Sequence, residues 1–193
     1  WLTSWAVCLS TPADLGPEYA IDGFNLPELK IHEHRLSANQ QSIDRAWSEG
    51  RLIPDDSPSS TGMHKVKRES LADRIAKAAG IVSGYPQDST WIVWCDTDYE
   101  ADALVKAFPS AIEVRGSMKP EQKETLLKQF SDQKAKMIIT KPDIAGFGLN
   151  WQHCAHQTVF PSHSYEQYYQ SVRRCWRFGQ TRPVVVDIIS TEG

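Results

Sequence analysis

Residues 91–115 read WIVWCDTDYEADALVKAFPSAIEVR, and this stretch decides the fold class. WIVWC (91–95) is a short continuous apolar run, typical of a strand that is covered on both faces. Residues 98–108 predict a helix that ends near Pro109, and IEVR (112–115) predicts a second strand. The order strand, helix, strand predicts a parallel unit with the helix packed on the sheet.

The same alternation continues along the rest of the chain. Further strands are predicted at KMIIT (136–140), QTVF (157–160) and PVVVDII (183–189), and further helices at 120–130 and from Ser164 to about Arg177. Strands that alternate with helices imply a mainly parallel sheet with helices on both faces. The predicted fold class is therefore α/β.

The N-terminal third of the chain carries weaker signals. GRLIPDDSPSSTGMH (50–64) is rich in Pro, Ser, Gly and Asp and predicts a loop or linker, whereas 37–47 could be helical. Residues 65–82 have apolar side chains at helical spacing and predict an amphipathic helix. We therefore expect an N-terminal extension and linker over 1–64 and one domain over 65–193. The absence of a starting Met leads us to expect a fragment of a longer protein.

Composition is that of an ordinary globular protein. Of the 193 residues, 40% are hydrophobic and 23% are charged, and a chain of this length can bury a core. No apolar run approaches the ~18 residues of a membrane span, and the start does not resemble a signal peptide. The four cysteines have no CxxC spacing, which favours reduced thiols and a cytoplasmic setting.

A metal site is not predicted. His153, Cys154 and His156 could form half of a zinc site, with Cys175 or His163 completing it. No pair of these ligands has the spacing of a zinc finger, so we expect no bound metal ion here.

Positive charge is concentrated in the C-terminal half, although the net charge of the chain is −3. Residues 106–141 hold eight Lys and Arg against four acids, and SVRRCWRFGQTRP (171–183) holds four arginines and no acid. Arginine suits bidentate recognition of carboxylate or phosphate, so this arginine segment predicts contact with an anion. A surface patch paired with acids from elsewhere in the fold is the alternative.

Helical spacing divides residues 164–177 into two faces. One face carries Tyr165, Tyr168, Tyr169, Val172 and Trp176, and the other carries Gln170, Arg173, Arg174 and Arg177. We expect the aromatic face to pack on the sheet and the arginines to point outward with Gln170. Like charges at these spacings repel, and an external anion would relieve that repulsion.

A glycine motif lies in ITKPDIAGFGLNWQHC (139–154), directly after a predicted strand. Gly146 and Gly148 flank Phe147, ahead of Asn150. Glycines at the carboxyl end of a parallel strand let backbone amides approach a ligand, and open α/β sheets bind their ligands at this edge. The motif therefore predicts a ligand contact close to the arginine segment.

Together these motifs resemble the second RecA-like lobe of superfamily-two helicases, most closely the Swi/Snf-like branch and its phage and bacterial relatives. The family's last motif has the form Q-x-x-x-R-x-x-R-x-G-Q, and its fixed positions are matched here by Gln170, Arg174, Arg177, Gly179 and Gln180. GFGLN (146–150) is similar to the preceding family motif, G-L-G-I-N. WIVWCDTDYEADAL (91–104) and VRGS (114–117) resemble two further family segments, so the resemblance covers about residues 88–190.

The resemblance implies a RecA-like three-layer fold that carries half of an ATPase site. It makes Arg177 the arginine finger on the γ-phosphate of ATP and Arg174 its catalytic partner, acting on phosphate or on the acidic motif of the first lobe. It places Gly148 and Asn150 near the ribose and phosphates, and it gives Gln170 the task of positioning the arginines or water.

Nucleic-acid contacts are implied by the same resemblance. The positions concerned are Thr140, Lys141, Gly116 and Ser117, which would contact a nucleic-acid backbone. Residues 142–145 depart from the family pattern, since the segment between Lys141 and the glycine motif is longer here.

The sequence has no G-x-x-x-x-G-K-[ST] phosphate loop. We therefore expect ATP and Mg²⁺ to be held mainly by a first RecA-like lobe of the same protein, and the isolated lobe to be inactive and to bind no ATP tightly. We expect DNA to be the nucleic-acid partner, with RNA the less favoured alternative, and we expect no membrane contact. We also expect a monomeric fragment of a bacterial or phage-encoded protein.

Two alternative functions use similar residues. A nucleic-acid-binding module without motor activity would use the same arginines on backbone phosphates, and its binding would be salt-sensitive. A dinucleotide-binding enzyme is disfavoured, because no G-x-G-x-x-G occurs.

Overall fold

The computed structural model of the protein describes residues 12–16, 25–36, 67–145 and 148–191. Within these ranges the chain forms a six-stranded, all-parallel sheet with helices on both faces. This architecture confirms the predicted α/β class. None of the helices in these ranges combines the length and apolar character that a bilayer crossing requires.

The secondary structure elements follow one another in a regular order after the first strand. The strands are β1 (Leu29–Leu36), β2 (Trp91–Trp94), β3 (Ile112–Val114), β4 (Met137–Thr140), β5 (His156–Val159) and β6 (Val184–Thr191). The helices are α1 (Leu71–Ser83), α2 (Asp98–Ala107), α3 (Pro120–Ser131), α4 (Pro142–Ala145) and α5 (Tyr165–Val172), and a 3-10 turn spans Pro12–Asp14. Across the sheet the strand order is β1-β6-β5-β2-β4-β3.

Strand β2 lies in the middle of the sheet, as its apolar sequence predicts. It pairs with β4 on one side and with β5 on the other, and all four of its residues are buried. A parallel strand with helices above and below it must present apolar side chains in both directions. The continuous run WIVW meets that requirement.

Two hydrophobic clusters cover the two faces of the sheet. On one face α3, α4 and α5 pack over a cluster that includes Ile92, Trp94 and Trp151. On the other face α1 and α2 pack over a cluster that includes Trp91, Val93 and Leu104. The alternation of Trp91, Ile92, Val93 and Trp94 between the clusters is the two-residue period of a strand.

Strand β1 was not predicted, and it lies within the predicted extension 1–64. Its eight residues pair in register with β6, from Leu29 opposite Val184 to Leu36 opposite Thr191. As the edge strand it is mostly exposed, so its sequence lacks the apolar run that marks β2. The predicted linker 50–64, the helix at 37–47 and the boundary after residue 64 lie outside the described residues. The division into domains therefore stays a prediction.

A buried ion pair fixes α1 against α2 at the carboxyl edge of the sheet. Arg74 Nη1 donates to Glu100 Oε1 at 2.6 Å, and both side chains are almost fully buried. Glu100 Oε2 also accepts from the backbone N–H groups of Asp96 and Thr97, at 2.9 and 3.0 Å. One carboxylate therefore holds α1, the start of α2 and the turn that follows β2.

Replacing this carboxylate should strongly destabilise the fold. We expect Glu100→Ala to lower the free energy of unfolding by about 3–5 kcal/mol, because it leaves the Arg74 guanidinium buried without its counter-charge. Glu124→Ala, which removes an exposed carboxylate from α3, should change it by about 0.5 kcal/mol or less. Urea denaturation of both variants measures the difference, and equal losses would contradict the role assigned to Glu100.

Candidate functional site

The arginine segment folds differently from the predicted continuous helix. Helix α5 ends at Val172 rather than near Arg177, and turns follow it up to Gly179. At its start, Ser164 Oγ accepts from the Gln167 N–H at 3.2 Å, which is half of the predicted capping box. The Gln167 side chain accepts from the Ser162 hydroxyl at 2.7 Å instead of returning to the Ser164 N–H.

The predicted separation into an aromatic and a charged face is only partly correct. Val172 is buried, and Tyr168 and Trp176 pack against the core, but Tyr165 and Tyr169 are 76% and 46% exposed. The shorter helix changes the direction of the residues after Val172, so a 100° projection does not apply to them. The arginines therefore do not share one outward face.

Arg174 is buried, and the prediction that it points outward is wrong. Its Nε and Nη2 donate to the carbonyl and the side-chain Oε1 of Gln170, at 3.1 and 3.0 Å. Its Nη1 donates to the Leu149 carbonyl at 3.0 Å, and its own carbonyl accepts from the Trp151 N–H at 2.9 Å. Arg174 thus joins the end of α5 to the loop that carries the glycine motif.

The burial of Arg174 has an electrostatic cost. Removal from water lowers the pKa of its guanidinium, and the positive charges of Arg177 and Arg173 lower it further. The three hydrogen bonds to oxygen atoms offset part of that cost.

Arg177 is partly exposed and lies against Asn150. Its Nη1 donates to Asn150 Oδ1, so the second arginine of the motif meets the last residue of the glycine motif. Its Nε is buried and has no hydrogen-bond partner. Arg177 therefore keeps donor capacity that the described residues do not satisfy.

No acid in the described ranges forms an ion pair with any of the four arginines of this segment. Arg173 lies over the Trp176 ring, 5.5 Å from its centroid, and Arg182 donates to the His153 carbonyl. The alternative of a surface patch neutralised by described acids is thus not observed. Uncompensated guanidinium groups at one edge of a sheet can recruit an anion.

Gln180 is a buried structural residue whose role the motif alone did not reveal. Its Nε2 lies 2.9, 3.0 and 3.3 Å from the carbonyls of Gln152, Cys154 and Cys175. Its Oε1 accepts from the N–H groups of Thr181 and Arg182, both at 3.0 Å. One signal of this role is in the sequence, because Gln180 directly follows a glycine. A turn at that glycine leaves backbone N–H and C=O groups that need hydrogen-bond partners.

Glycine is required at two points of this site. Gly179 has a φ of +87° and Gly148 a φ of +76°, which place both in the left-handed region. Gly148 lies in the exposed loop before Asn150, and Gly179 turns the chain between Arg177 and Gln180. Gly148 and Gly179 thus set the backbone path of the two segments that meet at this site, the loop before Asn150 and the turn after Arg177.

The candidate nucleic-acid residues lie at or just beyond the carboxyl ends of β4 and β3, the last two strands in the order across the sheet. Gly116 and Ser117 are exposed in the turn after β3. Lys141 Nζ lies 2.9 Å from Asp98 Oδ1. Burial lowers the pKa of Lys141, but its hydrogen bond and charge interaction with Asp98 outweigh this and raise the pKa above its usual value.

Thr140 has an internal partner. It is buried, and its hydroxyl donates to the Val114 carbonyl at 3.2 Å, which links β4 to β3. Its predicted contact with nucleic acid stays a prediction. The side chains of this group with exposed polar surface are those of Lys141 and Ser117.

The two motif arginines should differ in their effect on stability. We expect Arg174→Ala to lower the free energy of unfolding by about 2–4 kcal/mol, because the carbonyls of Leu149 and Gln170 lose their buried donor. Arg177→Ala removes the same charge from a partly exposed position and should cost about 1 kcal/mol or less. Denaturant unfolding of the purified chain tests this, and equal losses would contradict the structural role of Arg174.

Comparison with known proteins places these motifs in context. Residues 73–179, more than half of the chain, match the family model described as helicase conserved C-terminal domain. No curated protein matches the sequence significantly.

Solved structures of low sequence identity share the fold. The C-terminal part of the Fun30 ATPase domain superposes with a TM-score of 0.62 at 13% identity, over 87% of this chain and 86% of that one. The C-terminal domain of the DEAD-box protein Dbp5 gives 0.53 at 16% identity, over 63% and 71%. The S. cerevisiae Dbp5 C-terminal domain bound to Gle1 and IP6 gives 0.50 at 14% identity, over 61% and 70%. This likeness confirms the predicted RecA-like fold.

Proposed function

Because this chain belongs to the family of helicase conserved C-terminal domains, as the second RecA-like lobe of a superfamily-two helicase, we propose that it is the motor lobe of an ATP-dependent DNA helicase or translocase. In this proposal the lobe supplies an arginine finger to a nucleotide held mainly by a first lobe. It also supplies contacts to the nucleic-acid backbone. Its nearest functional relatives would be the Swi/Snf-like proteins and their bacterial and phage counterparts.

The contact between Arg177 and Asn150 carries the proposal. It brings the arginine motif and the glycine motif together although 27 positions separate the two residues. Arg177 has no acidic partner among the described residues, and its buried Nε has no hydrogen-bond partner. A phosphate group fits the positive charge and the part of this guanidinium that is exposed.

The two arginines have different tasks in this proposal. Arg177 would bind the γ-phosphate oxygens as charge builds up in the transition state, which is worth ~10³–10⁵ in rate for arginine fingers. Arg174 would act on Arg177 from inside the lobe, by holding the Leu149 carbonyl and Gln170 in place. The buried position of Arg174 supports positioning rather than contact with phosphate.

The other residues of the site would likewise either face the nucleotide or position an arginine. Gly148 and Asn150 lie in an exposed loop that would face the ribose and phosphates, and Gln170 would fix the Arg174 guanidinium. When bound, ATP with Mg²⁺ supplies the phosphoryl group and the metal charge. We place the magnesium ligands on the first lobe, since the sequence here has no phosphate loop.

Substitution of the finger should abolish turnover in the protein that contains both lobes. We expect Arg177→Ala to reduce kcat for ATP by ~10³–10⁵-fold, with little change in DNA affinity, because the lost charge acts in the transition state. Arg35→Ala removes an exposed arginine from β1 and should leave turnover unchanged. Steady-state ATPase assays measure kcat, and DNA titrations measure the affinity. Normal turnover in Arg177→Ala would refute the assignment of Arg177 as the arginine finger.

The nucleic-acid surface proposed here consists of Lys141, Gly116 and Ser117, beyond the carboxyl ends of β3 and β4. Lys141 is held by Asp98 in the absence of nucleic acid, and the amides of the exposed 116–117 turn are available to a phosphate group. Contacts of this kind recognise the backbone and not the bases. Such contacts would allow the lobe to move along DNA without sequence preference.

Removal of the Lys141 charge should weaken DNA binding without destroying the fold. We expect Lys141→Ala to lower the slope of log K against log salt by about one, as the loss of one phosphate contact requires. Lys134→Ala, which removes an exposed lysine after α3, should keep the slope of the wild type. Fluorescence titrations with duplex DNA, single-stranded DNA and RNA measure this, and equal slopes for both variants would refute the assignment.

A further inference from the structure

Three potential metal ligands converge at the edge of the sheet farthest from β3. His32 and His34 lie on β1, and Asp187 lies on β6. One ligand atom from each lies within 4.8 Å of the other two. This is the only such group in the described ranges, and it does not include His153, Cys154 or His156.

The register of the two strands explains why these side chains meet. His32 is directly opposite Asp187, and its near nitrogen Nδ1 lies 3.3 Å from Asp187 Oδ1. His34 is two residues further along the same face of β1, and its far nitrogen Nε2 lies 2.7 Å from the same oxygen. The two imidazole rings therefore approach the same carboxylate oxygen, His32 with its Nδ1 atom and His34 with its Nε2 atom.

Asp187 supplies a second, independent observation. Its side chain is only 3% exposed, yet its Oδ2 has no hydrogen-bond partner. The register places Thr158 beside it on β5, and Thr158 Oγ1 is also buried without a partner. A buried carboxylate oxygen without a donor is costly, and a bound cation removes that cost.

We propose that His32, His34 and Asp187 bind a divalent transition-metal ion of the zinc class. Two imidazole nitrogens and one carboxylate oxygen are the donors that Zn²⁺ and similar ions prefer, whereas Mg²⁺ and Ca²⁺ prefer oxygen alone. Asp187 Oδ1 lies 3.3 Å from His32 Nδ1 and 2.7 Å from His34 Nε2. Small side-chain movements would therefore place all three ligand atoms at bonding distances of about 2.0–2.2 Å from one ion. The 49% exposed His32 side chain leaves a coordination position open to water.

The metal ion would join the edge strand to the body of the lobe. Among the strands of the described residues, β1 pairs with β6 alone, and most of its side chains are exposed. An ion held by ligands from both strands cross-links them through side chains in addition to the backbone ladder. The segment that carries β1 would then stay docked on the lobe when the metal is present.

Calorimetry on metal-free protein with ZnCl₂ tests the proposal directly. We expect one Zn²⁺ per chain and weaker or no binding of MgCl₂, and we expect Co²⁺ to give the visible absorption of a low-coordinate nitrogen and oxygen site. At free Zn²⁺ one hundredfold above Kd, the melting temperature should rise by about 5–10 °C.

Variants identify the ligands. We expect Zn²⁺ binding to weaken by at least about 100-fold in each of His32→Ala, His34→Ala and Asp187→Asn. Loss of a residue that only supports a metal ligand already weakens metal binding by up to about 100-fold. His163→Ala and Cys154→Ser, which remove other potential ligands, should bind as the wild type does. His32 is half exposed, so His32→Ala remains informative if Asp187→Asn fails to fold. Wild-type protein that binds no Zn²⁺, or binding that His32→Ala leaves unchanged, would overturn the proposal and leave a hydrogen-bonded His–Asp–His group.

Discussion

The buried guanidinium of Arg174 is the constraint on which the site depends. Two of its hydrogen bonds are to Gln170 in α5, and the third is to the carbonyl of Leu149, 25 positions earlier in the chain. Gln180 makes a second connection of the same kind, from one buried side chain to five backbone groups. Together they fix the backbone from which Arg177 and Asn150 extend. Buried polar groups thus set the position of the partly exposed Arg177 side chain. Removing one of them is costly, because its partners would stay without hydrogen bonds in an interior of low dielectric constant.

This arrangement also concentrates positive charge, and no acid of the described residues forms an ion pair with it. Burial and the neighbouring arginines lower the pKa of Arg174, so its charge is disfavoured within the lobe. Arg177 has one side-chain acceptor, an amide oxygen, and an unused buried donor. A site to which the described residues supply no anion gains most from an anion brought by a partner. That is the electrostatic property expected of half an ATPase site that becomes complete when two lobes close.

The sequence predicted the fold well where burial controls the pattern. The strands β2 and β4 are covered on both faces, so their apolar runs were unambiguous, and the helices between them carry regular spacing. Strand β1 was missed because an edge strand needs no such run. The end of α5 was missed because the turns after Val172 depend on tertiary hydrogen bonds to Arg174 and Gln180 and on the left-handed Gly179. The cluster at Asp187 was missed since its histidines are more than 150 positions away and meet it only through strand register.

Chemical rescue of the two arginine variants tests the account most directly. Guanidinium ions, at concentrations far below those that denature proteins, can enter a solvent-accessible space left by a missing arginine side chain but not a buried one. In the protein that contains both lobes, they should restore part of the ATPase of Arg177→Ala and none of that of Arg174→Ala. Rescue of Arg174→Ala without rescue of Arg177→Ala would contradict the division between a buried positioning residue and a finger that contacts phosphate.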